Sequence, residues 1–133
     1  MPIASSLLNK PRLLEKLRKF YDYVQKNDGK VGQKTRGIDL NFNNACNLRC
    51  KYCFTNSPKG DHVKEYLDIK AIKKLADEAD ELGYFEFDLQ GGELLLQPKK
   101  LFEVLEAIRP ERFYMYLTTN GYYLDAEMAK KLA

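Results

Sequence analysis

The sequence predicts an α/β fold in which three βα units follow one another behind a leading amphipathic helix. Three observations point there. Apolar and polar residues alternate with period two at three separate places, apolar stripes of helical period lie between them, and Gly, Pro or Asp marks nearly every boundary.

The first stripe is Leu13, Leu14, Leu17, Phe20, Tyr21 and Val24, with Pro11 near the first turn, where its missing N–H costs least. Asn27-Asp28-Gly29 closes this helix, and the stretch through Gly32 and Gly37 reads as a linker. Residues 1–36 are therefore expected to form a helix and linker, and 37–133 the main domain. Strand 1 follows, with Ile38, Leu40 and Phe42 on one face and Asp39, Asn41 and Asn43 on the other. A cysteine-bearing loop comes next and runs on through Ser57-Pro58-Lys59-Gly60-Asp61. Asp68 is the expected N-cap of a helix whose stripe is Ile69, Ile72, Leu75, Ala76, Ala79 and Leu82, and Gly83 suits the position just past its end. Tyr84 to Gln90 alternates again as strand 2 and runs into Gly91-Gly92-Glu93. Pro98 opens a helix with stripe Leu101, Phe102, Val104, Leu105 and Ile108, and Pro110 stops it. Strand 3 is Phe113 to Thr118, ending in Thr119-Asn120-Gly121, and Asp125 begins a last helix.

Strands alternating with helices of this length indicate right-handed βαβ units and a parallel sheet. Buried parallel strands usually read as continuous apolar runs, yet these keep a second face of Asp39, Asn41, Glu86, Asp88, Gln90, Tyr114, Tyr116 and Thr118. Part of a barrel whose lumen holds a ligand explains that wet face. An open sheet with one face in solvent is the alternative.

Composition narrows the function classes. With 133 residues, 44% hydrophobic and 31% charged, the chain is long enough for a packed core. Its formal charge of +3, from 22 basic and 19 acidic residues, is too slight to argue for nucleic acid or an anionic membrane surface. No stretch reads as a signal peptide or a membrane span, so a cytoplasmic protein is the simplest expectation. The three cysteines all lie within eight residues, which argues against a disulfide framework and suits a reducing compartment.

Those cysteines carry the chemistry. Cys46-Asn47-Leu48-Arg49-Cys50-Lys51-Tyr52-Cys53 gives a C-x3-C-x2-C spacing at the carboxyl end of strand 1, where α/β sheets place their active sites. Three thiolates fit a four-iron, four-sulfur cluster with one iron left open, and Arg49 and Lys51 can offset its negative charge. A zinc site completed by His62, the one histidine, is the competing reading.

With Tyr52 just before the last cysteine, this loop resembles the signature of the radical S-adenosylmethionine (radical SAM) superfamily. Gly91-Gly92-Glu93 is similar to that family's G-G-E motif, and Thr119-Asn120-Gly121 to the T-N-G that often ends its third strand. The resemblance implies a [4Fe–4S] cluster on Cys46, Cys50 and Cys53, its fourth iron chelated by the amino and carboxylate groups of S-adenosylmethionine. It further implies Tyr52 near the adenine and Gly91 and Gly92 giving the methionine moiety close backbone approach. Glu93 would accept from its ammonium group, with Asn120 as a weaker cofactor contact. Reductive cleavage would yield a 5′-deoxyadenosyl radical that abstracts hydrogen from a substrate, with Asp88, Gln90, Tyr116 and Thr118 as candidates to line the pocket.

Leu94 stands where the family often has proline. The family core is a TIM-like partial (β/α)6 barrel, of which this chain carries about three units, so the resemblance implies the N-terminal half of a longer enzyme. Its expected partners are the remaining half of the barrel, a reductant such as flavodoxin or ferredoxin, and a small-molecule or peptide substrate. The leading helix and the Q-G-G-E context look similar to the SPASM-type branch that modifies ribosomal peptides, whose auxiliary cluster would have to lie beyond residue 133. The contrasting expectation is a non-catalytic iron–sulfur or zinc-binding module used in electron transfer or assembly.

Overall fold

The computed structural model describes residues 9–41, 43–55, 57 and 67–133. The expectations placed on Phe42, on Pro58–Asp61 and on His62 lie outside the described residues. Helix α1 runs from Pro11 to Lys26, β1 from Gly37 to Asn41, α2 from Ile69 to Glu81 and β2 from Glu86 to Gln90. A 3-10 turn, Leu94–Leu96, precedes α3 at Pro98–Ile108, and a second, Pro110–Arg112, precedes β3 at Tyr114–Leu117; α4 is Ala126–Leu132. The predicted alternation is present in order. The strands are shorter than the sequence pattern suggested, because alternation continues past the residues that complete the ladder: Phe85 N–H still reaches the Arg36 carbonyl at 2.9 Å, and Thr118 N–H the Leu89 carbonyl at 3.0 Å.

Local chemistry sets the boundaries. The Asp68 carboxylate accepts from Lys70 N–H at 3.2 Å and the Asp125 carboxylate from Met128 N–H at 2.7 Å, satisfying helix donors that otherwise lack partners. Pro11 and Pro98 both occupy first-turn positions. After α2, Gly83 takes φ +82°, the left-handed conformation that lets the chain turn back into β2.

The strands pair in parallel in the order β1-β2-β3, with Asp39 opposite Asp88 and Asp88 opposite Tyr116. One face is dry. Leu40, Phe87 and Leu89 are buried against Ile72, Ala76 and Ala79 of α2 and Leu101, Val104 and Ile108 of α3, and Phe87 meets Phe113 edge to face at 4.8 Å. The other face is wet, as the alternation predicted, with Tyr114 and Tyr116 exposed and stacked edge to face at 4.8 Å. Among the described residues the sheet is an open three-stranded one.

Helix α1 crosses the N-terminal end of this sheet. Lys10 Nζ donates to the Pro110 and Phe113 carbonyls at 2.9 and 3.1 Å, and Phe20 packs edge to face on Phe85 at 5.0 Å. Lys16 is buried, its Nζ 2.9 Å from Asp80 Oδ1 and 4.0 Å from the centre of the Phe113 ring. Burial draws Lys16 below its ordinary value against the pull of Asp80. This end of the sheet is thereby plugged, and the carboxyl ends of the strands are left for the loops that carry the motifs.

Candidate active site

The cysteine loop leaves β1 through a short turn made by Asn43, whose side-chain oxygen accepts from Ala45 N–H at 3.2 Å. That turn is sewn to the end of β2: Gly92 N–H donates to the Asn43 carbonyl at 3.0 Å, and Glu93 N–H to the Ala45 carbonyl at 2.7 Å. The approach is so close that only glycine fits. A Cβ on Gly91 would overlap the Asn43 carbonyl oxygen, and one on Gly92 would overlap the Ala45 carbonyl oxygen. The sequence expectation was that these glycines admit the methionine moiety of a cofactor. In the structure the space a side chain would take is filled by the backbone entering the cysteine loop.

Within the loop, Cys53 N–H donates to the Cys50 carbonyl at 3.3 Å, and Leu48 N–H points at Cys46 Sγ at 3.4 Å. Cys46 is half-buried, Cys50 and Cys53 are exposed, and all three are free thiols. Cys53 Sγ lies 3.2 Å from Thr55 Oγ1, which in turn lies 2.7 Å from Ser57 Oγ. Hydrogen bonds from Thr55, and then Ser57, pull the Cys53 thiol down to about 7, so a large share is thiolate at neutral pH. Tyr52 is 96% exposed on the rim of the loop.

Among the described residues no three His, Cys, Asp or Glu side chains converge as ligands of a single ion would. A tetrahedral zinc needs its donors about 2.3 Å from one centre, whereas cluster cysteines bind different irons and stand farther apart. Three free thiols in one exposed loop, one already acidified and with N–H groups nearby, are the donor set a four-iron cluster takes.

Glu93 is fully buried. Its carboxylate accepts from Leu95 N–H at 2.8 Å, Thr119 Oγ1 at 2.7 Å and Asn120 N–H at 2.8 Å. The carboxylate is enclosed, and protein donors hold it. Asn120 donates through Nδ2 to Asn47 Oδ1 at 2.9 Å, and its Oδ1 accepts from Tyr122 N–H at 2.9 Å. Asn47 and its bond to Asn120 escaped the sequence reading; an Asn beside a ligand cysteine carries no spacing signal that would mark it.

The four pocket candidates lie together on the wet face. Asp88 sits between Asp39 and Tyr116, and Gln90 Nε2 donates to Asp88 Oδ2 at 3.0 Å. Asp88 Oδ1 is buried without a partner, and burial, then the neighbouring Asp39, push the carboxyl above its ordinary value. Arg36 and Glu86 pair at 2.6 Å nearer the closed end, beside a recess of about 290 Å³ that Asp39, Asp88 and Tyr116 also line. Tyr116 and Thr118 are exposed.

A parallel sheet with a cysteine triad after β1 and G-G-E after β2 defines a class, and comparison with known families agrees: the Radical SAM superfamily model matches residues 40–133. The chain belongs to the radical SAM superfamily. It is 33% identical over 104 residues to a probable GTP 3′,8-cyclase of Methanocaldococcus jannaschii, covering 77% of this chain and 34% of that protein. It is 34% identical over 101 residues to a cysteine-type anaerobic sulfatase-maturating enzyme of Clostridium perfringens, covering 66% and 27%. A GTP 3′,8-cyclase of Nautilia profundicola is 36% identical over 109 residues, covering 77% and 33%. The chain spans about a third of the length of these relatives. The cofactors of the superfamily are a [4Fe–4S] cluster and S-adenosylmethionine.

Proposed function

We propose that this chain is the N-terminal part of the core of a radical SAM enzyme, with Cys46, Cys50 and Cys53 as the three cluster ligands. The observation that carries the reading is the placement of the thiol loop at the carboxyl end of β1, braced by the Gly92 and Glu93 N–H groups. The division at residue 36 goes with it: α1 closes the N-terminal end of the sheet, and residues 37–133 supply the motif-bearing loops. When bound, the cluster and S-adenosylmethionine supply one-electron cleavage of a sulfonium and hydrogen-atom abstraction from a substrate C–H.

The chain's own residues then hold and shield. Cys53, partly ionised already, is poised as a ligand. Tyr52 offers an exposed ring for the adenine, while Gly91 and Gly92 border the cofactor and Asn120 holds Asn47. Asp88, Gln90, Tyr116 and Thr118 face the substrate on the wet side of the sheet, which becomes the lumen of a partial (β/α)6 barrel when later strands cover it. The substrate is a small molecule or a peptide; the SPASM-type branch fits the likeness to a sulfatase-maturating enzyme. A reductant of the flavodoxin or ferredoxin kind supplies the electron, and the cytoplasm is the fitting compartment.

Anaerobic reconstitution of the full-length protein, followed by EPR of the reduced cluster with and without S-adenosylmethionine, tests this reading. The signal is expected to change on adding the cofactor. An unchanged signal, or a mononuclear four-ligand site, refutes the enzyme reading and supports an electron-transfer or assembly module.

A further inference from the structure

The residue that grips the first cysteine is not in the cysteine loop at all. Glu93 acts on both flanks of Cys46. Its main-chain N–H holds the Ala45 carbonyl at 2.7 Å on one side. Its carboxylate holds Asn120 N–H at 2.8 Å, and Asn120 Nδ2 holds Asn47 Oδ1 at 2.9 Å on the other. The ring Glu93, Asn120, Asn47, Cys46, Ala45 closes on itself and joins the ends of β1, β2 and β3. We infer that Glu93 and Asn120 are positioning residues, a clasp that fixes Cys46 through Asn47. This rests on the ligand role proposed for that cysteine.

Three observations favour a clasp over a direct cofactor contact. Glu93 is fully buried and its carboxylate already accepts three bonds. Both ends of the Asn120 amide are engaged, Nδ2 with Asn47 and Oδ1 with Tyr122 N–H. Cys46 is half-buried where Cys50 and Cys53 are exposed, as expected if one corner of the loop is fixed and the rest awaits its metal.

Glu93→Gln is nearly isosteric but puts an NH2 group against a backbone N–H: facing Asn120 it opens the clasp, and facing Leu95 it removes the bond that anchors the side chain holding Asn120, so a donor is left facing a donor either way. Asn47→Leu removes the acceptor for Asn120, while Asn47→Asp keeps one. Amide hydrogen exchange over residues 45–48 in the metal-free, full-length protein reads the clasp directly, with the amides of Phe87 and Leu89 as the internal control for global opening. Glu93→Gln and Asn47→Leu are each expected to speed exchange over 45–48 by roughly three- to tenfold, the range that corresponds to one net hydrogen bond. The double variant should be no faster than the faster single one, and Asn47→Asp should exchange like the wild type. In the reconstituted protein the same two variants are expected to alter the EPR line shape of the reduced cluster before any S-adenosylmethionine is added.

A direct ligand role for Glu93 predicts otherwise: unchanged exchange, an unchanged cluster signal, and a loss confined to cofactor binding. That result overturns the clasp, as does additivity of Glu93→Gln with Asn47→Leu. Should Glu93→Gln fail to fold, the two Asn47 variants decide alone, and equal exchange in both overturns the clasp. If the wild type takes up no cluster, the enzyme reading fails while the exchange measurements still decide the clasp.

Discussion

Gly92→Ala is the substitution that most directly tests how β2 and the cysteine loop are joined. A methyl group there overlaps the Ala45 carbonyl oxygen and stands 2.5 Å from the Ala45 carbonyl carbon and 2.8 Å from that of Asn44. Carbon atoms pack at about 3.5–4.0 Å, so the loop backbone has to retreat by roughly 1 Å. The retreat stretches the two bonds that anchor the turn, from Gly92 N–H to Asn43 and from Glu93 N–H to Ala45. Overpacking that moves backbone costs about 1–3 kcal/mol and each lost bond about 0.5–1.5 kcal/mol, giving about 2–6 kcal/mol in all. Such a loss is a large share of the stability of an ordinary domain.

Denaturant unfolding of the full-length protein measures it, with Gly83→Ala as the reference. Gly83, unlike Gly92, has positive φ but nothing within 4 Å of its would-be Cβ, so alanine there meets conformational strain without a clash, about 1–2 kcal/mol. Gly92→Ala is expected to unfold at lower denaturant than Gly83→Ala with a similar slope, and to load less iron because Ala45 adjoins Cys46. If the two variants unfold alike and Gly92→Ala loads iron normally, the steric argument for the G-G-E segment is wrong.

Three further substitutions test other parts of the molecule. Cys50→Ala, at an exposed position, should leave unfolding unchanged while abolishing iron and sulfide incorporation on reconstitution; stoichiometric loading would refute the ligand assignment. Asp80→Asn should destabilise by on the order of 3 kcal/mol at pH 7, because Lys16 on the buried side of α1 then loses its counter-charge. Burial alone would raise the Asp80 carboxyl, but Lys16 and Arg12 outweigh it and hold it below its usual value. Its contribution is therefore complete above the unfolded value near 4 and fades as pH falls through the lower folded value, an acid limb that urea titrations should find missing in the variant. Asp88→Asn runs the other way. Burial and Asp39 raise the folded value of Asp88, so its ionisation opposes folding as pH climbs from about 4. The variant should match or exceed wild-type stability at pH 7; a clear loss would mean that the carboxylate has a partner it needs.

Much of this was legible in the sequence, for local reasons. Asp68 and Asp125 cap their helices, Pro11 and Pro98 open theirs, and Ile72, Ala76, Ala79, Leu101, Val104 and Ile108 of the stripes pack on the sheet, because each signal needs only neighbours within a few residues, whereas Leu14, Tyr21 and Leu82 of the predicted stripes stay exposed. The thiol spacing was legible in the same way. Strand ends were not, since alternation persists where the ladder has stopped. Nor were the partners of the G-G-E segment: what Gly92 makes room for is Ala45, and what Glu93 holds lies up to 27 residues further on at Asn120. A motif shows which residues matter together, while the direction in which each one acts is decided by contacts between distant segments.

That distinction changes how the two later motifs relate to the first. Glycines at 91 and 92 need no ligand to explain them, because two carbonyls of the cysteine-loop approach already fill the space. A buried carboxylate with three protein donors is expensive to unpair and cheap to leave alone, so it suits a fixed joint better than a group that exchanges partners with each catalytic cycle. The thiols themselves have the opposite character: two of the three are exposed, and among the described residues the loop between Cys46 and Cys53 makes few bonds to the rest of the fold. In the proposed enzyme, a rigid base under the thiol loop would let the metal set the loop's final shape, while the strand ends would fix where on the sheet the reactive centre sits.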